Sequence, residues 1–201
     1  MRIAVISDQI SDDWEEAIQL GQLLGLDAFE LRWVRLPGAF RRQRVGELSE
    51  AEARALAEVA RQRGATVSAI APGLFHNPWE PCCDLAEVWA NLDRVFHLAG
   101  ILGARDVIIH GFLRPDGRRN GVCPPGVIDV LAEAAARALA AGRRLLLRNV
   151  ANGYADTGMH TAAIVQAVHS PGLGVSWDPC QAAQAGECAI CDGYDWVAPF
   201  V

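Results

Sequence analysis

The sequence predicts an α/β protein whose parallel strands form a barrel-like sheet that falls short of closure. Three observations carry this. Apolar runs of about five to seven residues alternate with amphipathic helical stretches, the pattern of successive βα units. The units break off at polar groups, Asp8, Glu30, His76, His110, Asn149 and Asp178. Polar residues at the carboxyl ends of several strands are typical of a barrel with one shared mouth. Ser7-Asp8-Gln9-Ile10-Ser11, after the first run, has no glycine, whereas a doubly wound open sheet would place a Gly-rich phosphate loop there.

In chain order, Met1–Ser7 reads as a short buried strand. Ser11 and Asp12 offer caps for a helix in which Trp14, Ile18, Leu20 and Leu24 recur, closed by Gly25. Ala28–Val34 is the second strand. Ser49-Glu50-Ala51-Glu52 is a capping box for a helix ending near Gly64. Ala65–Ala71 is the third strand, ending at Pro72-Gly73. Asp84 caps the next helix, with Leu85, Val88, Leu92, Val95 and Ala99 on one face and Gly103 at its end. Asp106–His110 is the fourth strand, Gly126–Ala141 a helix closed by Gly142, and Arg144–Asn149 the fifth strand. Met159–Val168 is helical and Leu173–Trp177 is the sixth strand. Trp196–Val201 reads as the start of a seventh.

A chain of 201 residues suffices for one domain, and no change of composition or low-complexity linker divides it, so 1–201 is read as a single domain. Half of the residues are apolar (51%) and 21% charged, as in a soluble globular protein. A net charge of −6 argues against general binding to nucleic acid or an anionic membrane, which needs a basic face. Arg32, Arg35, Arg41, Arg42 and Arg44 cluster in one stretch, read as a solvated loop or as a local basic patch. The N-terminal run turns polar too soon for a signal peptide, and no apolar run reaches the roughly 20 residues of a membrane span. A cytoplasmic location is expected, with the six cysteines as reduced thiols.

Several residues bear chemistry, each beside a plainer role. Asp178 at a strand end is a site residue or a helix cap for Gln181–Gln184. His110 reaches a metal or substrate oxygen, or is satisfied by backbone. His76 lies in a loop beside Asn77-Pro78-Trp79, where packing is the plainer role. Glu30 and Arg32 share one face of the second strand, since side chains alternate; a Glu30–Arg148 ion pair is one expectation, and anion binding by Arg148 another. Cys188-Ala189-Ile190-Cys191 is a CxxC with Cys180 eight residues before it, a weak metal or redox signal because a second pair at finger spacing is missing; adjacent Cys82-Cys83 could add thiolates.

Four segments together resemble the xylose-isomerase-like TIM barrels, which include sugar and sugar-phosphate isomerases and epimerases and apurinic-site endonucleases. They are Phe29-Glu30-Leu31-Arg32, Val107-Ile108-Ile109-His110-Gly111, Leu146-Leu147-Arg148-Asn149 and Gly174-Val175-Ser176-Trp177-Asp178-Pro179. Asp156-Thr157-Gly158 and Asp192-Gly193-Tyr194 resemble linking segments of the sugar-isomerase branch. The resemblance implies a TIM-barrel-like domain with one divalent metal (manganese, magnesium or zinc) at the mouth, held by a Glu ending strand five, an Asp ending strand six, and a His and a Glu from later strands. Such a cation polarises sugar oxygens while carboxylates move the proton.

Asp178 occupies the strand-six position and is the metal-ligand candidate. Arg148 stands at the strand-five position, and a guanidinium neither ligates a cation nor acts as a useful base. Gln181 stands where a His or Asn commonly comes after the Asp. The two later ligands would lie beyond Val201, and a complete barrel has about 250 residues, so the expectation is an incomplete barrel of about six to seven strands. The resemblance makes Glu30 and His110 the catalytic candidates and Arg148, Asn149 and His76 the candidates for holding a sugar-like ligand. It leaves two functions open: an isomerase or epimerase with metal-assisted proton transfer, or a non-catalytic binding descendant. The endonuclease branch needs several histidines and a basic surface, which an acidic chain with five His does not offer. An open sheet edge makes a homo-oligomer that covers it an expected partner.

Overall fold

The computed structural model describes residues 3–36, 38–81, 85–115 and 122–201. The chain forms two compact units, Met1–Pro72 with Asn91–Val107, and Gly73–Ala90 with Ile108–Val201. Among the described residues the main sheet has six parallel strands in the order β1 (Ala4–Ile6), β2 (Ala28–Leu31), β5 (Thr66–Ile70), β6 (Asp106–Ile109), β7 (Arg144–Arg148) and β8 (Leu173–Ser176), with β1 and β8 as its two edges. A parallel sheet flanked by helices is what the alternating pattern predicts, and the sheet is not closed into a barrel. The expected cap Asp84 and the pair Cys82-Cys83 lie outside the described residues.

In the first unit, β1 (Ala4–Ile6) pairs with β2 (Ala28–Leu31), which pairs with β5 (Thr66–Ile70); β6 (Asp106–Ile109) comes next. All four residues of β2 are buried, as in a strand covered on both faces. α1 (Trp14–Leu23) starts one residue later than the sequence suggests: Asp13 is its cap and accepts from the Glu16 N–H at 3.1 Å. Trp14, Ala17, Ile18 and Gly21 form its buried face, whereas Leu20 and Leu24 are exposed. Gly21 has to be a glycine, because a Cβ there would lie 2.7 Å from the Phe29 ring. Trp14 meets that ring edge-on and donates its indole N–H to the Leu56 carbonyl at 3.0 Å.

α2 (Glu50–Gln62) has the expected capping box. The Ser49 hydroxyl accepts from the Glu52 N–H, and the Glu52 carboxylate accepts from the Ser49 N–H at 2.7 Å. The second strand is shorter than Ala28–Val34. It stops at Leu31, and Trp33–Val34 (β3) instead pairs antiparallel with Gln43–Arg44 (β4). Arg32 breaks the run by donating from Nε and Nη2 to the Asp8 carboxylate. This hairpin organises the basic stretch: Arg35 faces Asp13, Arg42 pairs with Asp12, and Arg42 and Arg44 lie over the Trp33 ring. α3 (Leu85–Leu102) buries Leu92, Val95, Phe96, Leu98, Ala99 and Leu102.

In the second unit, β7 (Arg144–Arg148) pairs in register with β8 (Leu173–Ser176), so that Arg148 faces Ser176. Burial alternates along β7. Leu145 and Leu147 are buried, while Arg144, Leu146 and Arg148 on the other face are half-buried. α4 (Pro125–Ala140) starts after Pro124, and α5 (Gly158–Val168) is capped by Thr157, whose hydroxyl accepts from the His160 N–H. α6 is Pro179–Gln184.

The expected seventh strand is overturned. Trp196–Val201 belongs to α7 (Tyr194–Val197) and a 3-10 turn at Ala198–Phe200. Pro199 has no N–H to give a ladder and suits the first turn of a helix. The turn lies against β8 all the same, for a Cβ on Gly174 would come within 3.0 Å of the Phe200 carbonyl oxygen.

Candidate functional site

Four of the six residues singled out from the sequence meet in two pairs in the second unit. The first pair lies beyond β6. Leu74–Trp79 runs beside His110–Leu113, held by bonds from His110 N to Leu74 O, Phe112 N to Phe75 O, Leu113 N to Asn77 O and Trp79 N to Leu113 O, all 2.9–3.1 Å. This brings the rings of His76 and His110 to 4.4 Å between centroids. His76 is exposed and His110 half-buried.

The backbone beside both histidines is strained. Phe75 (φ 57°) and Phe112 (φ 61°) occupy the left-handed region, which costs a bulky residue about 1–3 kcal/mol. Their buried rings meet at 5.0 Å, tilted by 45°, and Trp79 meets Phe112 edge-on at the same distance, so aromatic packing holds the strained turns. Strain of this kind collects at functional positions.

The second pair lies beyond β7 and β8. Fully buried Asn149 donates from Nδ2 to the Asp178 carbonyl at 2.8 Å and accepts at Oδ1 from the Asp178 N–H at 2.7 Å. Its amide thus splices the two strand ends together. Asp178 Oδ1 accepts from the N–H groups of Cys180 and Gln181 at 2.9 and 3.1 Å, the geometry of a helix cap on α6. The Gln181 side chain accepts from the Ala151 N–H. Arg148 donates from Nε and Nη2 to the Ser176 hydroxyl at 3.2 and 3.0 Å.

Glu30 belongs to the first unit, buried on β2 opposite Ile6 and Ala69, beside a register shift at Phe29/Glu30. There the best-defined polar contact is the Asp8–Arg32 pair, whose carboxylate side chain is only 3% exposed.

One group escaped the sequence reading. Arg114 and Asp156, both buried, pair at 2.6 Å, and Asp156 Oδ1 lies 2.7 Å from His160 Nδ1. The same oxygen accepts from the Thr157 N–H. Arg114 also lies over the Tyr154 ring. Four-residue spacing between Asp156 and His160 across a helix start was the available signal; nothing in the sequence pointed to Arg114. Tyr154, His160, Cys123, Ile128 and Ile164 line a cavity of about 530 Å³ against α4 and α5. Burial pushes the Cys123 thiol up to about 11, and burial followed by the nearby Cys123 raises the Tyr154 hydroxyl.

A family-type divalent centre needs several hard donors on one point. Among the described residues no group of three or more His, Cys, Asp or Glu side chains is placed to hold a metal ion. Arg148 stands at the end of β7, where the resemblance implies a carboxylate, and beyond β8 the Asp178 carboxylate caps a helix. The described residues do not fit that centre. Among the described residues no helix is long and apolar enough to cross a membrane.

Among curated proteins none matches the sequence. Solved structures do. The whole chain superposes on 71% of a probable 3-DHS dehydratase, AsbF, involved in petrobactin synthesis in Bacillus anthracis, with TM-score 0.69 and 11% identity. It also superposes entirely on 72% of a xylose isomerase-like TIM barrel protein from Mycobacterium smegmatis in complex with magnesium (TM-score 0.69, 18% identity). A D-psicose 3-epimerase solved in the presence of D-fructose is matched over 69% of its length (TM-score 0.67, 17% identity). At such identities these likenesses speak for the fold. Residues 18–196 match the family described as xylose isomerase-like TIM barrel, and this chain belongs to that family.

Proposed function

We propose that this chain binds a sugar-like ligand carrying a phosphate or carboxylate beyond β6–β8 of the second unit, as a descendant of the sugar isomerases and epimerases that does not run metal-assisted proton transfer. The observation that carries the reading is Arg148, half-buried at the end of β7 and aligned by Ser176. A planar guanidinium suits a phosphate or carboxylate. His76 and His110 supply imidazole nitrogens for hydroxyl groups, on turns whose strain is held by packing. Asn149 and Asp178 keep the strand ends in place. A similar fold is known with D-fructose present, which supports a sugar-like ligand.

A second reading keeps metal-assisted isomerisation, with Asp178 as ligand and Glu30 and His110 as acid and base. A structural neighbour in complex with magnesium favours it. The donor set at the ends of β7 and β8 speaks against it.

Calorimetric titration with a panel of sugar phosphates and the matching neutral sugars tests the proposal. Binding is expected for the anionic member of at least one pair, weakened by roughly tenfold or more in Arg148→Met, as for the loss of a charge-assisted hydrogen bond. Equal affinity for both members of every pair, or no effect of Arg148→Met, contradicts it.

A further inference from the structure

The CxxC segment acquires a chemical meaning from its geometry. Cys188 and Cys191 are both exposed; Cys188 caps a tight turn, Ala189–Gly193, and Cys191 lies within it. The N–H groups of Asp192 and Gly193 donate to the Cys188 carbonyl at 3.1 and 3.0 Å, and the Cys191 N–H donates to Cys188 Sγ at 3.3 Å. The turn is also anchored. The Glu187 carboxylate accepts from the Gly158 N–H at 2.8 Å, and any Cβ on Gly193 would collide with Glu187 and the Trp177 ring. Two thiols lie one turn apart, and one sulfur accepts from the backbone N–H of the other cysteine, which keeps the pair together on the surface.

The two sulfurs differ. Cys188 is held below the usual thiol range by hydrogen bonds from the Cys191 thiol and then the Cys191 and Ile190 backbone N–H groups. Cys191 is held above it by that same bond and by repulsion from Cys188, Asp192 and Asp195. Cys123, half-buried and pushed up to about 11, is an internal example of an inert thiol. Cys180 is exposed on α6, and among the described residues it completes no three-donor group with this pair, so thiol exchange fits the pair better than zinc.

We infer that Cys188 and Cys191 form a redox-active dithiol that exchanges with low-molecular-weight disulfides. The Cys188 thiolate attacks one sulfur of the disulfide, forming a mixed disulfide and expelling one thiolate. Cys191 then gives its proton to solvent and attacks Cys188 Sγ, forming the internal disulfide and expelling the second thiolate. The protein loses two electrons and two protons, and the small disulfide becomes two thiols.

The test treats the reduced full chain with oxidised glutathione, blocks residual thiols by alkylation and maps the cysteine peptides by mass spectrometry. The expected result is the loss of two hydrogens from the peptide holding Cys188 and Cys191, with Cys123 and Cys180 alkylated. Cys191→Ser is expected to trap glutathione on Cys188, and Cys180→Ser to behave as the parent. Glutathione distributed over Cys180 and Cys188 with no internal disulfide in the parent would overturn the inference. So would failure of Cys191→Ser to trap it.

Discussion

Arg148 and Ser176 face each other across the β7–β8 ladder, and the guanidinium donates to the hydroxyl through both Nε and Nη2. Register partners on adjacent strands project to the same side, so the serine aligns a cation at the position where the family resemblance implies a carboxylate. Asp178, two residues beyond Ser176, caps a helix.

Asp178→Ala is expected to destabilise the protein by about 1 kcal/mol, the usual loss of a helix cap, and Asp178→Asn by much less, since an amide oxygen caps as well. Urea denaturation of both variants checks this. Equal losses would mean that the carboxylate charge, and not the cap, is what matters.

Asp156→Asn is expected to cost about 3–5 kcal/mol, because it leaves the buried Arg114 guanidinium uncompensated. Urea denaturation serves again, and a loss below about 1 kcal/mol would place this pair among weak surface bridges.

Acid is expected to loosen α2. Glu58, bonded first by Arg61 and then Gln62, is held down at about 2. Glu52, bonded by the Ser49 N–H and hydroxyl, and Glu50, bonded by Arg54 and His97, also lie below the ordinary carboxylate value of 4.5. Carboxylates depressed in the folded state contribute stability above the ordinary value and lose it as pH falls through the folded one. Amide protection in α2 should drop between pH 4.5 and about 2, and Glu58→Gln should flatten the drop. A pH-independent protection would contradict the assignment.

Much of the fold was legible because it rests on local signals. The Ser49–Glu52 capping box, the glycines closing helices and the strand–helix alternation each act within a few residues. Where the sequence misled, a distant partner or a missing donor decided. Arg32, at the residue after β2, pairs with Asp8, twenty-four residues away in sequence, and the chain then enters the β3–β4 hairpin. Pro199 turns an apolar run from strand to helix. At the site, the sequence identified residues but not their engagements: that Asn149 spends its amide on Asp178, or that Asp156 joins Arg114 to His160, depends on chain returns that spacing does not encode.

Whether the arginine at the end of β7 has displaced the family's metal chemistry is tested most directly by titrating the full chain with manganese and following the free ion by electron paramagnetic resonance. Manganese is preferred to zinc because it is a hard cation that does not seek the exposed thiols. No saturable binding is expected up to millimolar manganese, with the same trace from Asp178→Asn. Stoichiometric binding by the parent chain that disappears in Asp178→Asn would contradict the displacement.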